Sequence, residues 1–265
     1  MTTLIMKFGG ASVATPQSFS LVANIIESRL KEYEKIVVVV SAMGGMTDQL
    51  LDLAKQVHSS PPHRELDMLV SVGERISISL LAMALANKGI DAISFTGSQS
   101  GIITTTDHTE ARIVEVRPSR VCRQLEEKKV VIVAGFQGVS VSGEITTLGR
   151  GGTDTSAVAM GVALGANKVE FFKDVDGMYE ADPKTNPSAK HYPLLGYDQA
   201  LQIISKGAKI LQGRAVELAK KNYIPLHILS FSEFFSSNHL STWIKGDGNG
   251  QKKQEKPIYE IEFNR

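Results

Sequence analysis

The chain has 265 residues, of which 42% are hydrophobic, enough to bury a large core within one α/β domain or two closely packed lobes. Lys plus Arg (29) nearly cancels Asp plus Glu (28), so no global field draws in nucleic acid or an anionic membrane, and a charged ligand has to be met locally. The single Cys122 excludes an internal disulfide framework and a multi-cysteine metal site and fits a reducing cytoplasm; Met1–Met6 lacks the regions of a signal peptide, and the apolar stretch Leu80–Ala86 is too short to span a bilayer.

Leu4–Phe8 reads as a buried strand ending at Gly9-Gly10, and Pro16 opens a helix whose Phe19, Val22, Ile25, Ile26 and Leu30 form a core-facing stripe. Ile36–Val40 is a β-branched run typical of a strand buried on both faces, and Ser41-Ala42-Met43-Gly44-Gly45 turns into a helix near Thr47. A long helix is expected from about Arg64 through Glu74 to Leu85, then strand Ile90–Phe95, a polar passage Thr104–Thr109, a strand near Arg112–Val116 and a helix opened by Pro118. Val130–Ala134 is another buried strand, and Val139–Thr147 alternates about Ser142-Gly143 as a β-hairpin. Helix Thr155–Leu164 and strand Lys168–Phe172 precede a turn-rich passage, Lys173–Tyr192, read as an ordered loop over a ligand or a mobile flap. Helices Asp198–Ser205 and Ala208–Asn222 and strand Leu226–Leu229 follow. From Gly246 the composition is that of a solvated linker, with Pro257–Phe263 as a last strand or an orphaned one. Alternating strand and helix implies a mostly parallel sheet.

Thr147–Asp154 combines three glycines, one guanidinium (Arg150) and the start of a helix, which makes it either an anion site or a glycine-rich hairpin running into a capped helix. Lys7 precedes Gly9-Gly10 without forming a Walker loop or a dinucleotide fingerprint, and alone it reads more readily as a surface lysine at a strand end than as a phosphate ligand. Gly9-Gly10, Gly44-Gly45 and Gly151-Gly152 each fall between a predicted strand and a helix, so they should meet along the carboxyl edge of the sheet. Three such nests suit two anionic ligands, a polyphosphate and a small carboxylate, as in a kinase acting on an acid. His58, His63, His108, His191, His227 and His239 have no metal-binding spacing and read as surface or structural.

Lys7–Val13, Ser41–Asp48, Phe136–Gly138, Gly143–Ser156, Asp174–Pro183 and Gly207–Leu211 ahead of Arg214-Ala215-Val216-Glu217 resemble, in order, the signature blocks of aspartate kinase. The likeness covers Lys7 to about Ile244. It implies an αβα three-layer sandwich, the amino acid kinase fold, that phosphorylates the side-chain carboxylate of L-aspartate with ATP and Mg²⁺. Residues 1–245 would be the catalytic domain, with the amino acid in its N-terminal part and the nucleotide in about 168–245; residues 246–265 would be a polar linker or tail. By the same resemblance Lys7, Asp154 and Lys209 are catalytic, Asp154 organising the lysines. Thr47, Glu74, Arg150, Gly151 and Thr153 would surround the amino acid, Arg150 gripping the α-carboxylate and Glu74 receiving the α-ammonium. Lys7, Gly9, Gly10, Ser41, Gly45, Lys173, Asp174, Tyr179, Lys184, Lys209 and Ile210 would face the nucleotide, with magnesium riding on the ATP phosphates and no protein metal site.

The chain departs from the pattern at Ala11, where threonine is usual, at Lys173 in place of threonine or serine, and at Lys184 in place of arginine. Many relatives continue into paired ACT domains that bind lysine or threonine; the expectation here is a chain without them that those amino acids do not inhibit. A cytoplasmic homo-oligomer, a homodimer, is expected, with room for a regulatory partner subunit and no nucleic-acid or membrane partner. Two other readings stand beside this one: a sibling kinase acting on glutamate or N-acetylglutamate, which Arg150 with Glu74 disfavours for an acylated substrate, and a catalytically weak binding or regulatory subunit.

Overall fold

The computed structural model describes residues 2–181, 183, 185–186, 188–237, 239–246 and 256–261. The chain opens with β1 (Thr3–Phe8), a short 3-10 turn at Gly10–Val13 and α1 (Ser18–Arg29), then β2 (Lys35–Val40) and α2 (Met46–Val57). Next come α3 (His63–Val70), α4 (Val72–Ala86), β3 (Ala92–Phe95), β4 (Ile102–Thr104), β5 (Ile113–Val116), α5 (Ser119–Glu126), β6 (Val130–Ala134), β7 (Gln137–Ser140) and β8 (Ile145–Thr147). The second half holds α6 (Gly152–Ala163), β9 (Lys168–Lys173), β10 (Met178–Tyr179), β11 (His191–Tyr192), β12 (Leu194–Leu195), α7 (Tyr197–Ser205), α8 (Gly213–Asn222), β13 (Leu226–Ser230) and β14 (Ser241–Ile244).

Eight strands form one sheet in the order β12-β14-β13-β9-β1-β2-β6-β3, parallel except where β13 and β14 pair antiparallel. Helices α1 and α4 cover one face and α5 to α8 the other, giving the expected αβα sandwich. A second sheet, ordered β5-β4-β7-β8, carries the predicted hairpin as β7 and β8.

Strand parity decides where the charges emerge. Leu4, Met6 and Phe8 enter the core beneath α1 and α4, whereas Ile5 enters the core beneath α6, so Lys7 shares the α6 face. On β9, Val169 and Phe171 lie on the α6 face and Phe172 on the other, which places Lys173 beside Lys7. Lys7 is in register with Phe171 on these neighbouring parallel strands.

Several elements differ from the sequence expectation. The helix expected from Arg64 to Leu85 is two helices parted at Ser71, because the Gln137 side-chain amide donates to the Ser71 carbonyl (2.8 Å) and the Ser71 hydroxyl donates to Met68 O (3.1 Å), competing with the helical ladder. Taken as one run, His63–Ala86 is long and apolar enough to cross a membrane, against the shorter stretch read from the sequence. It holds the buried carboxylates Asp67 and Glu74 and packs Ile78, Leu81 and Leu85 into the core, which marks it as a core helix. Helix α6 begins at Gly152 and not Thr155, α8 begins at Gly213 and not Ala208, and β4, β10, β11, β12 and β14 were not expected. Gly151-Gly152 follows β8, a strand of the small sheet, so only two of the three glycine pairs end strands of the main sheet. No strand forms over residues 257–261; the Asn222 side chain pairs with the Ile258 backbone instead, and the Glu260 carboxylate accepts the Ile113 N–H of β5. The remaining tail positions, 247–255 and 262–265, lie outside the described residues.

Candidate active site at the carboxyl edge of the sheet

Strands β1, β2 and β9 end together, and two helices start above them. Gly45 precedes α2 and Gly151 precedes α6, both in the left-handed region (φ 77° and 76°) and neither followed by a side-chain cap. A side chain would be strained at either position; the N–H groups of Met46, Gly152 and Asp154 already donate to Met43 O, Gly149 O and Gly151 O, and without a capping side chain those of Thr47 and Thr153 stay available to a ligand. Beneath them opens a cavity of about 810 Å³ lined by Lys7, Gly10, Ser41, Gly45, Thr47, Glu74, Arg150, Gly151, Thr153, Asp154 and Lys173, among others. A second cavity of about 700 Å³ is lined by Asp174, Tyr179 and Ile210, and shares Lys173, Gly207, Ala208 and Lys209 with the first. The two spaces therefore meet at a pair of lysines.

Asp154, in the first turn of α6, is the centre of charge. Its Oδ1 lies 2.8 Å from Lys7 Nζ and its Oδ2 3.2 Å from Lys173 Nζ, and Oδ2 also accepts the Gln212 backbone N–H at 3.2 Å. Burial works against the carboxylate, yet the Lys173 and Lys7 ammoniums outweigh it and bring its pKa down to about 2. Burial also acts on Lys173, which shares its counter-ion and faces the Lys7 charge; its pKa falls to about 8. Two lysines over one carboxylate leave a surplus of positive charge with little water around it. An anion is the natural partner for it.

Of the other anticipated residues, Glu74 is buried with Oε1 accepting the Ala42 N–H (3.0 Å), while Oε2 is buried without a partner. Burial raises its pKa to about 7 against the opposing pull of the Ala42 amide and Lys7. Arg150 lines the first cavity, but its side chain is 91% exposed and its nearest charge is Asp48 at 3.8 Å. Gly9 touches the cluster from below: a Cβ there would stand 3.4 Å from Lys7 Nζ. Tyr179 donates to Asp176 (2.7 Å) and meets His191 edge-on, tying β10 to β11 over the second cavity. Lys209 stands in the wall common to both cavities and makes no ion pair among the described residues, so the second lysine on Asp154 is Lys173. Lys184 lies outside the described residues.

Three contributors were not anticipated. Gln212 holds Asp154 through its backbone and the Arg150 carbonyl through its side chain (2.7 Å). Asp67, fully buried, accepts from Thr147 Oγ1 (2.6 Å) and from Thr109 N (3.1 Å) and lies 2.8 Å from His108 Nδ1, binding the polar passage to the end of β8. A carboxylate inside the apolar run around Met68-Leu69-Val70 was the available signal for it. Gly135 lies against Thr153 so closely that a Cβ would overlap the threonine methyl.

Comparison with known proteins agrees with this architecture. An aspartokinase of Mycobacterium bovis is 50% identical over 231 residues, 87% of this chain and 55% of that protein. The aspartate kinase of Synechocystis superposes with a TM-score of 0.82 at 40% identity, over 95% of this chain and 41% of the other. Escherichia coli aspartokinase III, solved with aspartate and ADP, has the same TM-score at 24% identity, over 93% of this chain and 65% of the other, and speaks for the fold alone. The chain spans about half the length of the curated relatives it matches. The amino acid kinase family profile matches residues 2–230, a span holding both cavities and the lysine cluster between them, and the chain belongs to the amino acid kinase family.

Proposed function

We propose that the chain is the catalytic portion of an aspartate kinase. It transfers the γ-phosphoryl group of ATP to the side-chain carboxylate of L-aspartate, giving 4-phospho-L-aspartate and ADP, the first step towards lysine, threonine and methionine. The observation that carries this reading is the buried Lys7-Asp154-Lys173 cluster, rich in positive charge, at the junction of two cavities. The resemblance to aspartokinases at 50% identity supports the choice of acceptor. The homodimer expected from the sequence belongs to the same proposal and is read by sedimentation of the purified chain.

The chemistry needs little from the protein beyond placement and charge. A free aspartate side chain titrates near ~4 and is already a nucleophile at neutral pH, so no general base is required. What resists the reaction is the approach of that anion to a polyphosphate, and preorganised cations lower this barrier without reorganising during the transfer. In this arrangement the nucleotide fills the second cavity, with its terminal phosphate at Lys173 and Lys209, and the amino acid fills the first. Glu74 Oε2, buried and unpartnered, receives the α-ammonium, and Arg150 turns from Asp48 to the α-carboxylate. Magnesium would accompany the phosphates, with Asp154 engaged by Lys7, Lys173 and Gln212.

A hydroxylamine trap of the acyl phosphate, run with Mg-ATP and a panel of acids, tests the reading. Hydroxamate with aspartate alone supports it; product with glutamate or N-acetylglutamate instead, or ATP binding without product, overturns it.

Glu74 supplies a pH test. Its pKa of about 7 lies above the 4.5 of an ordinary glutamate, so the ligand-free protein loses stability as pH rises from about 4.5 to 7 and the buried group ionises. Binding an ammonium reverses that preference. KM for aspartate is expected to rise as pH falls through about 7, and Glu74→Gln to raise KM about tenfold or more and flatten this pH limb. Steady-state kinetics between pH 5.5 and 8.5, roughly the range where such a carboxyl changes charge, provide the check.

A further inference from the structure

We propose that Arg214 and Glu260 are positioning residues that couple the segment 256–261 to the loop of the first cavity, so that the seating of this segment sets the affinity for the amino acid. The inference rests on the reading of that cavity as the amino-acid site.

The segment sits on the protein through a specific seat. The Asn222 side-chain amide pairs with both polar groups of the Ile258 backbone, donating to its carbonyl (2.7 Å) and accepting from its N–H (2.9 Å). The Glu260 N–H donates to Ile113 O (3.1 Å), and the Ile113 N–H donates to Glu260 Oε2 (2.8 Å), so Glu260 brackets one residue of the edge strand β5 with main chain and side chain together. Between these points Tyr259 packs against the core beneath α6 and α8.

The Glu260 carboxylate, with only 8% of its side chain exposed, meets the Arg214 guanidinium in a two-pronged contact, Nε at 2.7 Å and Nη2 at 3.0 Å, with Arg112 farther off at 3.7 Å. The same guanidinium reaches inward. Nη1 donates to Leu148 O (2.6 Å) and Nη2 to Ala111 O (2.9 Å). Leu148 directly precedes Gly149-Arg150-Gly151, which line the first cavity, and Ala111 follows Glu110, whose carboxylate packs against Gly149, 2.8 Å from where a Cβ would be. One planar, multiply donating group thus holds the terminal segment on one side and both walls of the glycine loop on the other. When Glu260 leaves, Arg214 keeps its charge but loses the partner that fixes its plane, and its bonds to Leu148 and Ala111 loosen with it.

The test uses the full chain carrying Glu260→Ala, with the isosteric Glu260→Gln as the variant that keeps the packing. Two readouts are taken: kinetic constants from the hydroxamate assay, and the rate of tryptic cleavage after Arg150 in the absence of substrates. Expected for Glu260→Ala are a KM for aspartate raised about tenfold, kcat and the KM for ATP within about twofold of wild type, and faster cleavage after Arg150; Glu260→Gln should move the same quantities less. A lowered melting temperature with unchanged KM and unchanged cleavage in both variants overturns the coupling. If the wild-type chain does not turn over aspartate, the functional reading fails, and the cleavage rates still decide whether Glu260 orders the loop.

Discussion

Replacing Lys7 with alanine is expected to lower kcat by about a hundredfold or more, the loss typical of one preorganised transition-state donor. The size of the effect follows from where the lysine sits. Its side chain is 6% exposed and is fixed at 2.8 Å from Asp154, so its charge is aimed before any ligand arrives. Removing it leaves Asp154 and Lys173 as a balanced pair, and the surplus positive charge that would attract a phosphoryl group disappears. Substrate binding draws on many other contacts, so KM for either substrate should change less than kcat. Steady-state kinetics decide the matter: near-normal kcat in Lys7→Ala would remove this lysine from the chemistry.

Asp154→Asn is expected to act on stability as well as on turnover. The asparagine retains an oxygen for the Gln212 N–H but leaves two buried lysines without the carboxylate that bridges them, a class of change that costs roughly 3–5 kcal/mol. Urea unfolding at neutral pH should show this loss, and turnover should fall because neither lysine is held in place. The pH dependence has a definite sign. Asp154 has a folded pKa of about 2, below its ordinary 3.8, so the stability it contributes is present above about pH 4 and is lost as pH falls towards 2. The gap between wild type and variant should therefore narrow on acidification. A gap constant from neutral pH down to about pH 2.5 would show that the carboxylate charge is not what holds the lysines, since the linked contribution must fade over that interval.

Much of this site could be read from the chain before its fold was known, and what could not has physical reasons. The glycine pairs, the β-branched run of β2 and the charged residues inside the signature blocks announced themselves through local chemistry. The pairing of Lys173 with Asp154 did not. It depends on which face of β9 each residue occupies, and the alternation of Lys168 and Glu170 with Val169 and Phe171 breaks at Phe172, so it does not announce the side on which Lys173 emerges. Gln212 escaped notice because the apolar pattern of 208–222 reads as one helix, whereas α8 begins only at Gly213 and Gln212 stays extended with its N–H on Asp154. The break at Ser71 depends on a side chain 66 residues away, and sequence periodicity carries no trace of such a partner. The docked segment 256–261 has linker-like neighbours, and its seat is built from side chains of α8 and main-chain groups of β5 that no local signal connects to it.

Gly135 shows how far the constraint spreads from the chemistry. It lines neither cavity, yet a Cβ there would overlap the Thr153 methyl and stand 3.1 Å from the Thr153 Cα, the residue before Asp154. Any other amino acid at 135 must push aside the first turn of α6, and with it the carboxylate that sets the spacing of both lysines. In evolutionary terms the position should have no neutral neighbours: a single added methyl group at 135 displaces the first turn of α6 and the charge arrangement that rests on it. A library randomised at 135 and selected for aspartate kinase activity should return glycine alone, and recovery of alanine at wild-type fitness would show that α6 can yield there.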